Sequence, residues 1–242
     1  MKRSLSVALF DLGGTLFYDD PAAWTTIYPQ ADAALWDSLK ASGVQATAEI
    51  LYGSEDGLLQ YYYQLRATGL EEPGAEGVLR ELLTKRSIPF SELSLKKALA
   101  AMYAVTQSNW HLENDALPAL ERLRGAGIRL GVVSNGSDDA NARRLLEKGH
   151  LEPFFDLVLT SAAFGRRKPD PSIFRAALVA FGAAPQQAVM VGDNYDADIV
   201  GAQGIGMKTI WITRRVPPPP VAPATRPEAK VGTLTEIPPL LV

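Results

Sequence analysis

A chain of 242 residues with 47% apolar side chains can build one large core or two modest ones, and it is too hydrophobic for a disordered protein. A formal charge of −3, with acids and bases interspersed, argues against a dedicated nucleic-acid surface. The absence of cysteine excludes disulfides and thiolate metal sites.

The start, Met1-Lys2-Arg3, is basic, but the apolar run behind it ends at Asp11 and no small-residue cleavage site follows. No stretch approaches the roughly 20 apolar residues that cross a bilayer. The expectation is a cytoplasmic protein with no membrane partner.

Val7 to Phe10 is a short apolar run that stops at Asp11, with Gly13, Gly14 and Thr15 behind it. This reads as a strand buried on both faces, with a carboxylate at its carboxyl end. Residues from about Asp20 to Asn109 then read as helical, with no strand. The expected helices are Ala31–Ala41, Thr47–Ala67, Glu76–Lys85 and Ser91–Gln107, the last capped by Ser91. Beyond His111, strands and helices alternate. Helices are expected over Ala116–Arg124, Asp139–Lys148 (closed by Gly149), Ser172–Phe181 (closed by Gly182) and Asp196–Gln203. Strands are expected over Ile128–Val133, Leu157–Thr160, Ala188–Val191 and Lys208–Ile212. Such alternation implies βαβ units and a parallel sheet. Joined to the first strand, it gives an α/β fold: a Rossmann-like parallel-sheet core, residues 1–17 and 110–242, interrupted by an all-helical cap, residues 18–109. Pro217 to Pro220, with Pro223 and Pro227, reads as a stiff surface connector to the closing segment Val231–Leu241.

Polar residues follow the core strands: Asp11 and Thr15, Ser134-Asn135-Gly136, Lys168 in a basic loop, then Asp193 and Asp198. Each has an ordinary structural explanation, as a turn, a solvated charge or a helix cap. Gathered on one sheet edge, they combine carboxylates, a hydroxyl, anion-binding amides and an ammonium. A divalent-metal phosphoryl-transfer site needs that set.

The segments Phe10-Asp11-Leu12-Gly13-Gly14-Thr15-Leu16, Val133-Ser134-Asn135-Gly136, Lys168-Pro169 and Gly192-Asp193 through Asp198 resemble, in order and spacing, the four motifs of the haloacid dehalogenase superfamily. The resemblance spans essentially the whole chain. It implies a magnesium-dependent hydrolase of small phosphorylated metabolites, with Asp11 as the nucleophile that becomes an aspartyl phosphate. Lys168 is then the cation that neutralises charge on Asp11 and the phosphoryl group. Thr15, Ser134 and Asn135 complete the phosphate site. Asp11, Asp193 and the backbone carbonyl of Gly13 are implied to hold Mg2+, with Asp198 in support.

One position departs from the pattern. The family's phosphatases carry a second aspartate two residues after the nucleophile, as general acid/base, and here that position is Gly13. Such a group contributes about 10²–10⁴-fold. Its loss points to an impaired enzyme, to one restricted to good leaving groups, or to replacement by a cap residue or Asp19. Two alternatives stand beside this reading: a non-catalytic relative that binds a phospholigand or partner, and a 2-haloacid dehalogenase. Against the second stand the acid at Asp193 and the glycine where those dehalogenases carry tyrosine. Tyr61-Tyr62-Tyr63, Trp24, Trp36 and Trp110 read as core aromatics. His111 reads as connector and His150 as loop.

Overall fold

The computed structural model describes residues 5–45, 58–216 and 225–242, which form two compact units. One comprises the chain up to Tyr18 and from Leu112 onward, the other Asp19–His111.

The first unit is a six-stranded, wholly parallel sheet. Its strands are β1 (Val7–Phe10), β4 (Arg129–Ser134), β5 (Leu157–Thr160), β6 (Ala188–Gly192), β7 (Lys208–Ile212) and β8 (Ala229–Val231), in spatial order β5-β4-β1-β6-β7-β8. This is the parallel α/β architecture the alternation predicts. Every side chain of β1 is buried, because the first strand lies in the middle with a parallel neighbour on each side. The chain then builds outward on one side through β4 and β5 and on the other through β6 to β8. A ligand crevice in such sheets forms where the direction of winding reverses, outside the carboxyl ends of the strands. The register puts Phe10 level with both Val132 and Val191, so Asp11, Ser134 and Asp193 leave the sheet along one edge.

Several boundaries differ from expectation. The final strand β8 joins the sheet where the sequence shows only a closing segment. The chain expected as a helix over Asp196–Gln203 is a π-helical segment, Tyr195–Val200, before one α-helical turn, Gly201–Gln203. The helix Asp139–Lys148 is followed by Gly149 as expected, but Gly149 is right-handed (φ −82°) and His150 takes the left-handed conformation (φ 55°). Gly149 answers to packing instead: a Cβ there would lie 2.6 Å from Cζ of Phe17.

The second unit consists of helices Trp24–Ala41, Leu58–Ala67, Ala75–Lys85 and Glu92–Thr106 around a core that includes Leu35, Leu39, Leu79, Leu83, Leu95 and Tyr62. Residues 47–57 of the helix expected over Thr47–Ala67 lie outside the described residues, as do Met1–Arg3 and Pro217–Pro220 with Pro223. The first helix starts at Trp24, seven residues before its expected start and despite Pro29 inside it. The rings of Trp24 and Tyr28 stack at 4.7 Å, an i,i+4 contact that supports this weak first stretch. Ser91 caps the last helix as expected, accepting from the Ser94 amide while the Ser94 hydroxyl accepts from the Ser91 amide. Two short strands that the sequence does not announce, β2 (Phe17–Asp19) and β3 (Trp110–Leu112, which contains His111), pair as a separate two-stranded sheet where the chain crosses between units.

Candidate active site

Asp11 follows directly on β1, its amide bonded to the Val191 carbonyl of β6 at 2.9 Å. Its carboxylate meets Lys168, which arrives from the loop between β5 and the helix Pro171–Phe181. The ammonium is buried and makes three contacts: Asp11 Oδ1 at 2.7 Å, Asp198 Oδ1 at 2.6 Å and the Val133 carbonyl at 2.7 Å. An ammonium has three donors, and all three end on protein oxygens. Lys168 therefore acts on Asp11 through contact and charge, without a donor left over for a ligand.

Asn135 supports the lysine through its side chain. Its side-chain amide donates to the Lys168 carbonyl at 2.9 Å and accepts from the Lys168 amide at 2.7 Å, fixing the lysine's main chain. Ser134, buried, ends β4 level with Thr160 of β5. Thr15 is also buried, and its hydroxyl donates to Asp193 Oδ1 at 3.3 Å.

Asp193 and Asp198 sit beyond β6. The π-helical winding turns Asp198 inward, where Oδ1 holds Lys168 and Oδ2 accepts from the Asn194 amide at 3.0 Å. Gly14 sits against Asp193 with φ +80°, and a Cβ on it would lie 2.3 Å from Asp193 Oδ2. Only glycine lets the turn after β1 approach that carboxylate so closely. Oxygens of Asp11, Asp193 and Asp198 lie within 4.8 Å of one another.

Three carboxylates share one ammonium in a mostly dry place. Burial works against the charge of Lys168, but Asp11 and Asp198 outweigh it and hold the lysine above its ordinary value. Burial, with the Asp11 charge added, pushes Asp193 up to about 6. Burial lifts Asp198 as well, against the pull of Lys168. The excess of negative charge, with donors that are all hard oxygens, fits a divalent cation such as Mg2+. Both Asp198 oxygens are taken by protein donors, which leaves Asp11 and Asp193 as the side chains placed to hold one.

A family model described as haloacid dehalogenase-like hydrolase matches residues 5–206. The chain belongs to that family. Among curated relatives, this hydrolase is similar to a phosphoserine phosphatase of Thermus thermophilus, with 30% identity over 96% of this chain and 98% of the relative. It is also 30% identical to a ribulose-1,5-bisphosphate 5-phosphatase of Halopiger xanaduensis, over 85% of this chain and 83% of the relative. Its fold resembles the crystal structure of a 2-haloacid dehalogenase from Pseudomonas syringae pv. Tomato DC3000, with a TM-score of 0.72 and 23% identity over 98% and 97% of the two chains.

Among the expected residues, the fold joins Asp11, Lys168 and Asp198 directly and brings Asp193 beside them with Thr15. Sequence reading misses the Val133 carbonyl and the Asn135 side chain, since a main-chain acceptor carries no side-chain signal. Asp19, considered as a substitute acid, accepts a hydrogen bond from the Trp24 indole. No helix among the described residues is long and apolar enough to cross a membrane.

Proposed function

We propose that this hydrolase is a phosphatase of small phosphorylated metabolites that works through an aspartyl-phosphate intermediate on Asp11. The observation that carries the reading is the Asp11–Lys168–Asp198 contact with Asp193 beside it. The phosphatase names of two relatives that align over most of their length support it. Lys168 binds Oδ1 of Asp11, which directs Oδ2 toward an incoming phosphorus. That oxygen forms a bond to phosphorus as the bond to the leaving oxygen breaks. Water then attacks the phosphorus, the bond to Asp11 breaks, and inorganic phosphate leaves with the carboxylate restored. The Ser134 hydroxyl and the Asn135 amide are the donors assigned to the phosphoryl oxygens. Mg2+, held by Asp11, Asp193 and the Gly13 carbonyl, would supply positive charge that offsets the phosphoryl oxygens. Asp198 holds the lysine and leaves the metal to the other two acids.

Gly13 bears on substrate choice. Without an acid at that position the leaving oxygen departs with less help, so acyl and anomeric phosphates should turn over faster than alkyl phosphates. The test is a panel of sugar, nucleotide and acyl phosphates with MgCl2, run beside Asp11→Asn and Gly13→Asp. Turnover that Asp11→Asn abolishes, together with a gain on alkyl phosphates in Gly13→Asp, is the expected result. Turnover untouched by Asp11→Asn would overturn the reading, and so would halide release from chloroacetate without metal in place of phosphate release.

A further inference from the structure

The side chain of Trp211 has no place in the chemistry above. It stands on β7, almost wholly buried, level with Gly192 of the neighbouring strand. Its indole Nε1 donates to the main-chain carbonyl of Asp193 at 2.8 Å. Two further contacts hold the ring in place. Tyr195 meets it edge-on with centroids 5.1 Å apart, and the Lys230 ammonium lies 5.1 Å from its centroid. The Tyr195 hydroxyl in turn donates to the Thr225 carbonyl.

Asp193 sits immediately past the end of β6, where the ladder that fixes the strand has run out. From another residue's side chain its carboxylate receives a long contact, from Thr15 at 3.3 Å. The indole N–H therefore anchors the main chain of this acid at the point where strand pairing stops. An indole is a donor only, with one N–H on a rigid ring, so its aim is set by packing and it cannot be replaced by water without moving the ring.

We infer that Trp211 is a positioning residue for cation binding: it pins the Asp193 main chain and so sets the affinity of the carboxylate pair Asp11 and Asp193 for Mg2+. The inference rests on the metal assignment made above. Groups that orient a ligating side chain change metal affinity or activity by about 10–100-fold when removed. A contact through the main-chain carbonyl of the ligand belongs at the lower end of that range. Because Trp211 touches neither substrate nor Asp11, its loss should appear in metal affinity and leave turnover at saturating metal close to wild type.

The experiment is calorimetric titration of the full chain with MgCl2 alone, for wild type, Trp211→Phe and Lys230→Met. Trp211→Phe keeps a ring in the site and removes the N–H. Lys230→Met removes the cation over the ring and keeps the N–H. The expected result is a dissociation constant raised about tenfold in Trp211→Phe and changed less than twofold in Lys230→Met. The MgCl2 dependence of turnover should shift by the same factor, with the plateau retained. Wild-type chain labelled with 15N in its tryptophans gives a second readout that needs no variant to fold: the Trp211 indole N–H resonance should move with the same midpoint as the heat. Equal affinities in wild type and Trp211→Phe would overturn the inference and leave the metal assignment intact. Movement of none of the indole resonances while wild type binds Mg2+ would do the same. Absence of Mg2+ binding by wild type in both readouts would overturn the metal assignment and this inference with it.

Discussion

Lys168 has an ammonium with three hydrogen-bond partners and two carboxylates within 2.7 Å, in a place water does not reach. Removing it strands Asp11 and Asp198 as buried like charges, and a neutral residue cannot answer both. Lys168→Met should cut turnover on the order of 10²-fold or more, because the charge nearest the reacting carboxylate is gone. The same change should lower stability by roughly 3 kcal/mol, in keeping with broken buried ion pairs. Steady-state kinetics and urea denaturation measure the two effects separately. A variant of full activity would place the lysine outside the chemistry.

The connection after β3 is held by a second ionic group, distant in sequence from the residues it secures. Glu113 is buried and accepts from Arg214 and, at 3.0 Å, from Arg215, both just past β7. Its own amide bonds to the Leu16 carbonyl at 2.9 Å, and the Arg215 guanidinium lies over the Tyr18 ring at 4.0 Å. The Glu113 carboxylate thus ties the stretch after β7 to the chain entering the unit at Leu112, and Arg215 carries the link on to Tyr18. Glu113→Ala should cost about 2 kcal/mol, less than a fully buried pair because Arg215 still reaches water and Arg214 keeps Asp115. Thermal denaturation of the variant checks this. A loss under about 0.5 kcal/mol would mean the arginines are satisfied by solvent.

At the scale of the whole protein, the acid cluster should make stability depend on metal and pH together. Asp193 is lifted to about 6 in the folded chain, so the folded state holds its proton more tightly than the unfolded one. Its contribution to stability is present below about 4 and is lost as pH rises through about 6, where the folded chain must carry the charge. A cation reverses that cost, because it binds the charged form. The rise in melting temperature caused by MgCl2 should therefore be small at pH 5 and should grow toward pH 7. At a concentration 100 times the dissociation constant the stabilisation is about 2.7 kcal/mol, and EDTA should remove it. Calorimetric scans across this range supply the measurement. A metal effect that is equal at all pH values would place the cation away from Asp193.

Local signals were sufficient for much of this protein. Val7–Phe10, Leu157–Thr160 and Lys208–Ile212 stand in the fold as their apolar runs and flanking turns imply, because a short apolar run bounded by turn residues is a signal carried by neighbouring residues. Asp11, Ser134 and Asp193 were readable for a similar reason, since each lies at or next to the end of its strand, whereas Lys168 lies eight residues past β5. Other features depended on residues far apart along the chain. Gly149 resembles a helix stop, yet it is glycine because Phe17 packs against it. Strand β8 is three residues long, only its last one buried, and it exists because β7 offers it an edge. The Thr15 contact with Asp193 and the Trp211 hydrogen bond to the Asp193 carbonyl exist only because the sheet brings β1, β6 and β7 side by side. Backbone propensity and hydrophobic period act over a few residues, so they are written locally. Which donor meets which acceptor across a sheet is settled by packing, after the chain has closed on itself.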